Sequence, residues 1–228
     1  MKKLVAMAGI VILTLFFTDR GFGQTLQAQP QAPPPFKEAV VDINAGHIKG
    51  DRDAKLVMIE FSEYQCPFCG RFVRETMPQI QKGYIDTGKI RYVFMDFPLP
   101  MHAQAMKASE AALCAADQGK FWEMHDRLFA NQNALSPEAL SKYAEALGLD
   151  MTQFKECLDS GKHAAQIKAT MAEGQKAGIT GTPGFFFGSI EADGKVRATG
   201  NLTGAVPYAN FKDAIDEMLE REFYGLSR

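Results

Sequence analysis

Apolar positions along the chain change period several times. Leu56 to Ser62 is a near-continuous apolar run broken by Glu60, short and flanked by polar residues, which predicts a strand covered on both faces. After Cys66-Pro67-Phe68-Cys69, residues Phe72, Val73, Met77, Ile80 and Tyr84 recur at three- and four-residue spacing, the pattern of a helix with one buried stripe. Pro78 is expected to kink or end that helix. Lys89 to Phe97 returns to strand character through Ile90, Tyr92, Val93 and Phe94, so strand, helix, strand predicts a parallel, right-handed crossover. The cysteine pair then sits where the crossover helix begins. From about 101 to 178 no strand signal survives. Ser136-Pro137 starts one helix, Gly148 can end it, and Asp150 with Gln153 starts another that runs to Gly161, so this stretch reads as a helical insert. Phe185 to Phe187 restarts strand character, Asp193-Gly194 signals a hairpin turn, Lys195 to Thr199 returns, and Tyr208 to Glu220 closes as an amphipathic helix.

Ahead of this folded pattern, Lys2 and Lys3 precede an uncharged apolar run from Leu4 to Phe17, followed by the small-residue stretch Gly21-Phe22-Gly23. That is the form of a secretory signal, residues 1–23; the run is short for a membrane anchor, which needs ~20 residues. Residues 24–35 are rich in Gln, Ala and Pro and read as a flexible linker, leaving 36–228 to fold outside the cytosol, where thiols meet oxidants. The composition, 46% hydrophobic and 23% charged over 228 residues, is that of a globular protein. The net charge of −2 and sequence pI of about 6.1 give no electrostatic hold on nucleic acid or anionic lipid.

The candidate chemistry lies in four cysteines. At the first turn of a helix, free backbone N–H groups and the positive end of the dipole stabilise a thiolate, which makes Cys66 the nucleophile and Cys69 the resolving thiol. An ordinary thiol of pKa ~8.5 is only about 3% ionised at pH 7, so such a shift decides reactivity. A zinc half-site lacks further clustered ligands, and a purely structural bridge across two residues gains little entropically. His47, His102, His125 and His163 are scattered without ligand spacing and read as packing or surface residues, and no metal or other cofactor is called for. Phe121, Trp122 and Phe129 read as helical core.

Glu60-Phe61-Ser62-Glu63-Tyr64-Gln65-Cys66-Pro67-Phe68-Cys69, together with Gly181-Thr182-Pro183-Gly184-Phe185-Phe186-Phe187-Gly188, resembles the DsbA-like thiol-disulfide oxidoreductases of the bacterial cell envelope. The resemblance spans about residues 40–222. It implies an α/β thioredoxin-like fold with an inserted helical domain, and a cis Thr182-Pro183 peptide facing the cysteines. Thr182, with Pro67 and Phe68 between the cysteines, would then meet the substrate chain. Glu60 matches the buried acid of this family and would accept the proton of Cys69; Lys89 and Arg91 are candidates for its partner. Glu63 reads as solvent-facing. Some relatives carry a second, structural disulfide in the insert, which would pair Cys114 with Cys157; two free buried thiols are the alternative. Phe68, in place of the histidine some members have between the cysteines, implies a less oxidising couple than theirs.

The resemblance thus implies an exported, periplasmic dithiol oxidase, monomeric, acting on reduced or misoxidised client proteins and regenerated by a DsbB-type quinone-linked membrane oxidase. An isomerase or reductase working from the reduced state is the alternative, since threonine before the proline occurs in both groups. The short segment 36–55 leaves little room for the isomerases' dimerisation domain. A metal- or thiol-binding protein using the same pair as ligands is a third reading.

Overall fold

The computed structural model describes residues 38–225, so the signal and linker readings, 1–23 and 24–35, lie outside the described residues. Its sheet has β1 (Ala39–Val41), β2 (His47–Lys49), β3 (Leu56–Ser62), β4 (Arg91–Asp96), β5 (Gly184–Ile190) and β6 (Val196–Thr203), in the spatial order β1-β6-β5-β3-β4-β2. β3 runs parallel to β4 and antiparallel to β5. Every residue of β3 is buried, because apolar layers cover both faces of the sheet. Met58 shares one layer with Tyr92, Phe94, Phe185 and Phe187, whereas Val57, Ile59 and Phe61 join Val93, Met95 and Phe186 in the other. Strand alternation therefore turns Glu60 into the first layer, among aromatic rings.

The crossover helix is broken more than the apolar spacing suggests. α1 (Pro67–Glu75) ends at Thr76, α2 (Met77–Ile80) follows, and a π-helical turn, Gln81–Ile85, leads to β4. The break falls two residues before Pro78, which has no N–H to give the Arg74 carbonyl one turn back and whose ring crowds it.

Helices α3 (Ala105–Ala116), α4 (Phe121–Ala130), α5 (Pro137–Ala146), α6 (Met151–Ser160) and α7 (Ala164–Lys176) form the insert between β4 and β5. Ser136 accepts from the Ala139 N–H to cap α5, and Asp150 accepts from Thr152 and Gln153 to cap α6, which ends in left-handed Gly161. α7 crosses to the second face, where Thr170 Oγ1 donates to the Asp96 carbonyl at 2.7 Å. Gly174 makes that approach feasible: a Cβ there would meet the Phe61 and Phe97 rings at 2.8 Å. α8 (Tyr208–Tyr224) lays Phe211 against Phe72 and Phe185 on the first face. This element order is the thioredoxin-like arrangement with a helical insert that the resemblance implies.

Candidate active site

Cys66 ends the turn after β3 as the N-cap of α1, with φ −68° and ψ 119°, and Pro67 takes the first helical turn, where a missing N–H leaves no orphan. Its sulfur thus faces the backbone N–H groups of Phe68 and Cys69 at the positive end of the helix. Cys69 is fully buried, Cys66 retains 2% of its surface, and both are free thiols. The Thr182–Pro183 peptide is cis, and Cys66 Sγ lies 3.4 Å from the Thr182 carbonyl oxygen. Pro67 and Phe68 are exposed beside the sulfur, Phe68 at 52%, with the Arg71 guanidinium 5.3 Å from its ring centroid.

These surroundings drive the two thiols apart in acidity. The neighbouring Cys69 thiol first, then the Thr182 side chain and the backbone N–H groups of Cys69 and Phe68, bring Cys66 down to about 5 against the opposing pull of burial. Burial first, and then its bond to Cys66 and the negative charges of Cys66 and Glu60, pushes Cys69 well above the ordinary thiol range. At pH 7 the reduced site therefore holds a thiolate at Cys66 and a thiol at Cys69.

Glu60 is fully buried, and its Oε2 accepts from Tyr92 Oη at 2.6 Å while Oε1 has no hydrogen-bond partner. Burial pushes its carboxyl up to about 7 despite the hydrogen bond from Tyr92, and the Cys66 charge adds to the rise. Neither sequence candidate partners it. Lys89 Nζ lies over the Tyr84 ring, 5.6 Å from its centroid, and Arg91 Nε donates to the Ala54 carbonyl at 2.7 Å. Tyr92, on the same sheet face as Glu60, takes that place.

Glu63 corrects the sequence reading: it is fully buried, not solvent-facing. One carboxylate oxygen meets His102 Nδ1, and the other accepts from the Gln65 N–H at 2.6 Å. The turn before Cys66 runs against residues 99–104, and that loop satisfies its polar groups in place of water. Two further supports escaped the sequence. Gln132 Nε2 donates to the Tyr64 and Cys66 carbonyls at 2.9 and 2.8 Å, and the Gln104 N–H donates to Gln65 Oε1 at 2.7 Å. A glutamine between helices carries no spacing signal that would reveal such a role.

The other cysteines stand apart from this pair in the insert. Cys114 on α3 and Cys157 on α6 are joined in a disulfide. A ring nitrogen of His163 lies within 4.8 Å of their sulfurs, but both sulfurs are spent on each other and offer no thiolate to a metal. His125 is buried among Tyr64, Phe94 and Phe129, and His47 stacks on Phe121 with centroids 3.5 Å apart.

A thioredoxin-like sheet with one acidic and one buried cysteine at a helix start, facing a cis-proline peptide, defines a thiol-disulfide oxidoreductase. The family model described as thioredoxin matches residues 43–217, and the chain belongs to that family, in its DsbA-like branch. Wolbachia pipientis alpha-DsbA1 superposes with a TM-score of 0.68 at 25% identity, over 82% of this chain and 97% of that one. Oxidised BdbD from Bacillus subtilis superposes with a TM-score of 0.71 at 23% identity, over 82% of this chain and all of that one, a likeness of fold. Among curated proteins, Na(+)/H(+) antiporter NhaA 3 of Salinispora tropica is 38% identical over 147 residues, 64% of this chain. That match is 22% of the antiporter, so the chain spans about a fifth of the length of such relatives. Among the described residues no helix is long and apolar enough to cross a membrane.

Proposed function

We propose that the chain is an exported dithiol oxidase working in the periplasm through Cys66 and Cys69. A client thiolate attacks Cys66 Sγ of the oxidised pair, forming a mixed disulfide and expelling Cys69 as a thiolate, which takes a proton. A second client thiolate then attacks the client sulfur of that mixed disulfide and expels the Cys66 thiolate. One client dithiol becomes a disulfide as the Cys66-Cys69 disulfide becomes a dithiol. The acidity of Cys66 carries this reading: a stabilised thiolate is a good leaving group and favours the reduced protein, which makes the disulfide an oxidant. Glu60, half-ionised near neutrality and coupled electrostatically to both cysteines, is suited to take and return the Cys69 proton. Pro67, Phe68 and Thr182 surround Cys66 as the client-contacting set.

A DsbB-type quinone-linked membrane oxidase would return the electrons to the respiratory pool. Mixing the oxidised chain with a reduced, unfolded client at equal concentration tests the direction. The expected result is loss of two client thiols per chain, abolished by Cys66→Ala. A chain that leaves the reduced client untouched and instead reshuffles a scrambled one when pre-reduced is an isomerase.

A further inference from the structure

Glu63 stands outside the exchange chemistry, yet it is a fully buried carboxylate three residues before Cys66, close enough for its charge to act on that sulfur. Its neighbours form a closed set. His102 Nδ1 meets one oxygen and the Gln65 N–H donates to the other. Gln65 in turn accepts from the Gln104 N–H, so the turn before Cys66 is tied at two points to one loop. His102 is held within that loop by its own N–H, which donates to the Leu99 carbonyl at 3.0 Å. The His102 side chain is 22% exposed, and the preceding Met101 is 78% exposed, so this loop borders the surface while Glu63 does not.

An ionised carboxylate at this position opposes a thiolate at Cys66, and burial magnifies the repulsion. The His102 ring, whose Nδ1 meets that carboxylate, offsets its charge where it arises. We propose that His102 and Glu63 are a charge-compensating positioning pair that fixes the Cys66 turn on the 99–104 loop and sets the acidity of Cys66. The charged and titratable groups facing Cys66 are then Cys69, Glu60 and Glu63, with His102 acting through Glu63. The inference rests on Cys66 being the acidic, attacked thiol, and the wild-type titration tests that separately.

The experiment titrates Cys66 thiolate absorbance in the reduced wild type, Glu63→Gln, His102→Gln and the double variant, with a redox potential and thermal midpoint for each. Glu63→Gln keeps an acceptor for the Gln65 N–H and removes the charge. Its Cys66 pKa should fall by about half a unit or more, which corresponds to a couple about 15 mV more oxidising. His102→Gln should raise the Cys66 pKa, and in the Glu63→Gln background the same substitution should leave it unmoved. If Glu63→Gln fails to fold, the rise in His102→Gln decides. An unchanged Cys66 pKa in the folded single variants, or a His102→Gln shift that survives removal of the Glu63 charge, overturns the pair. A purely structural contact would move only the thermal midpoint. A wild-type Cys66 titrating near 8 would instead overturn the reading beneath it.

Discussion

Removing the Cys69 sulfur should make Cys66 a weaker acid, and the structure sets by how much. The Cys69 thiol is the foremost of the groups that hold Cys66 down to about 5. A hydrogen bond to a charged group contributes about 1.5–3 kcal/mol, which is roughly one to two pKa units. Cys69→Ala should therefore move Cys66 to between about 6 and 7, while Cys69→Ser, which keeps a donor, should stay closer to the wild type. Alkylation by iodoacetamide across pH 4 to 9, with the modified peptide identified by mass, reads this directly. At pH 6 the wild-type sulfur is about 90% thiolate, against roughly 0.3% for an ordinary thiol. Its lower basicity costs a factor of about 25 to 60 in intrinsic nucleophilicity, which leaves it roughly five- to tenfold faster at pH 6 and slower than an ordinary thiol at pH 9. The sign for stability follows. A depressed thiol pKa stabilises the reduced fold fully above the unfolded value of ~8.5 and loses that effect as pH falls to about 5. A wild-type rate rising only near pH 8, or a Cys69→Ala curve matching the wild type, would refute the assignment of the acidity to this bond.

Glu60→Gln should slow Cys69-dependent resolution of mixed disulfides and erase an inflection near pH 7 in its rate, measured by rapid acid quench. Because burial raises this carboxyl from 4.5 to about 7, ionising it costs on the order of 3 kcal/mol, lost as pH rises through that window. Glu60→Gln should then be more stable than the wild type at pH 8 by denaturant unfolding, and equal stability would count against a buried, titrating Glu60. The Cys114–Cys157 bridge spans a sequence separation of 43. By loop entropy, replacing both with alanine should cost about 4 kcal/mol and roughly 10 °C in calorimetry, without moving the Cys66 titration. Gln132→Ala strips donors from the Tyr64 and Cys66 carbonyls and should destabilise by about 1–3 kcal/mol while broadening the range of Cys66 alkylation rates; neither effect would appear if Gln132 were only a surface contact.

Much of the site is legible in the chain because its chemistry is local. Cys66 draws its acidity largely from Cys69 and the N–H groups of the strand-to-helix turn it starts, and apolar period marks both elements. The element order of the central sheet and the insert is equally a matter of spacing and caps, as Ser136 and Asp150 show. β1 and β2 were hidden because three residues carry no period, and they form by pairing with β6 and β4. Glu63 was misread for a related reason. A carboxylate among polar turn residues looks exposed until a loop some forty positions later covers it. Tyr92 and Gln132 act through contacts of long sequence separation, which no local pattern encodes. Lys89 and Arg91 look suitable for Glu60 by charge, but Arg91 is turned instead to the Ala54 carbonyl.

The reduction potential of the Cys66-Cys69 pair against glutathione tests the proposed direction of exchange most directly, with the insert disulfide intact and the two redox states quantified by alkylation and mass. Thioredoxin, with a thiol pKa of ~7, poises near −270 mV, and DsbA, at ~3.5, near −120 mV. A Cys66 pKa of about 5 places this pair between them, at roughly −180 mV. A value near that figure supports an oxidant of client dithiols that is milder than DsbA. A value at or below about −250 mV would mean that the reduced protein is the donor of electrons, and would contradict the oxidase.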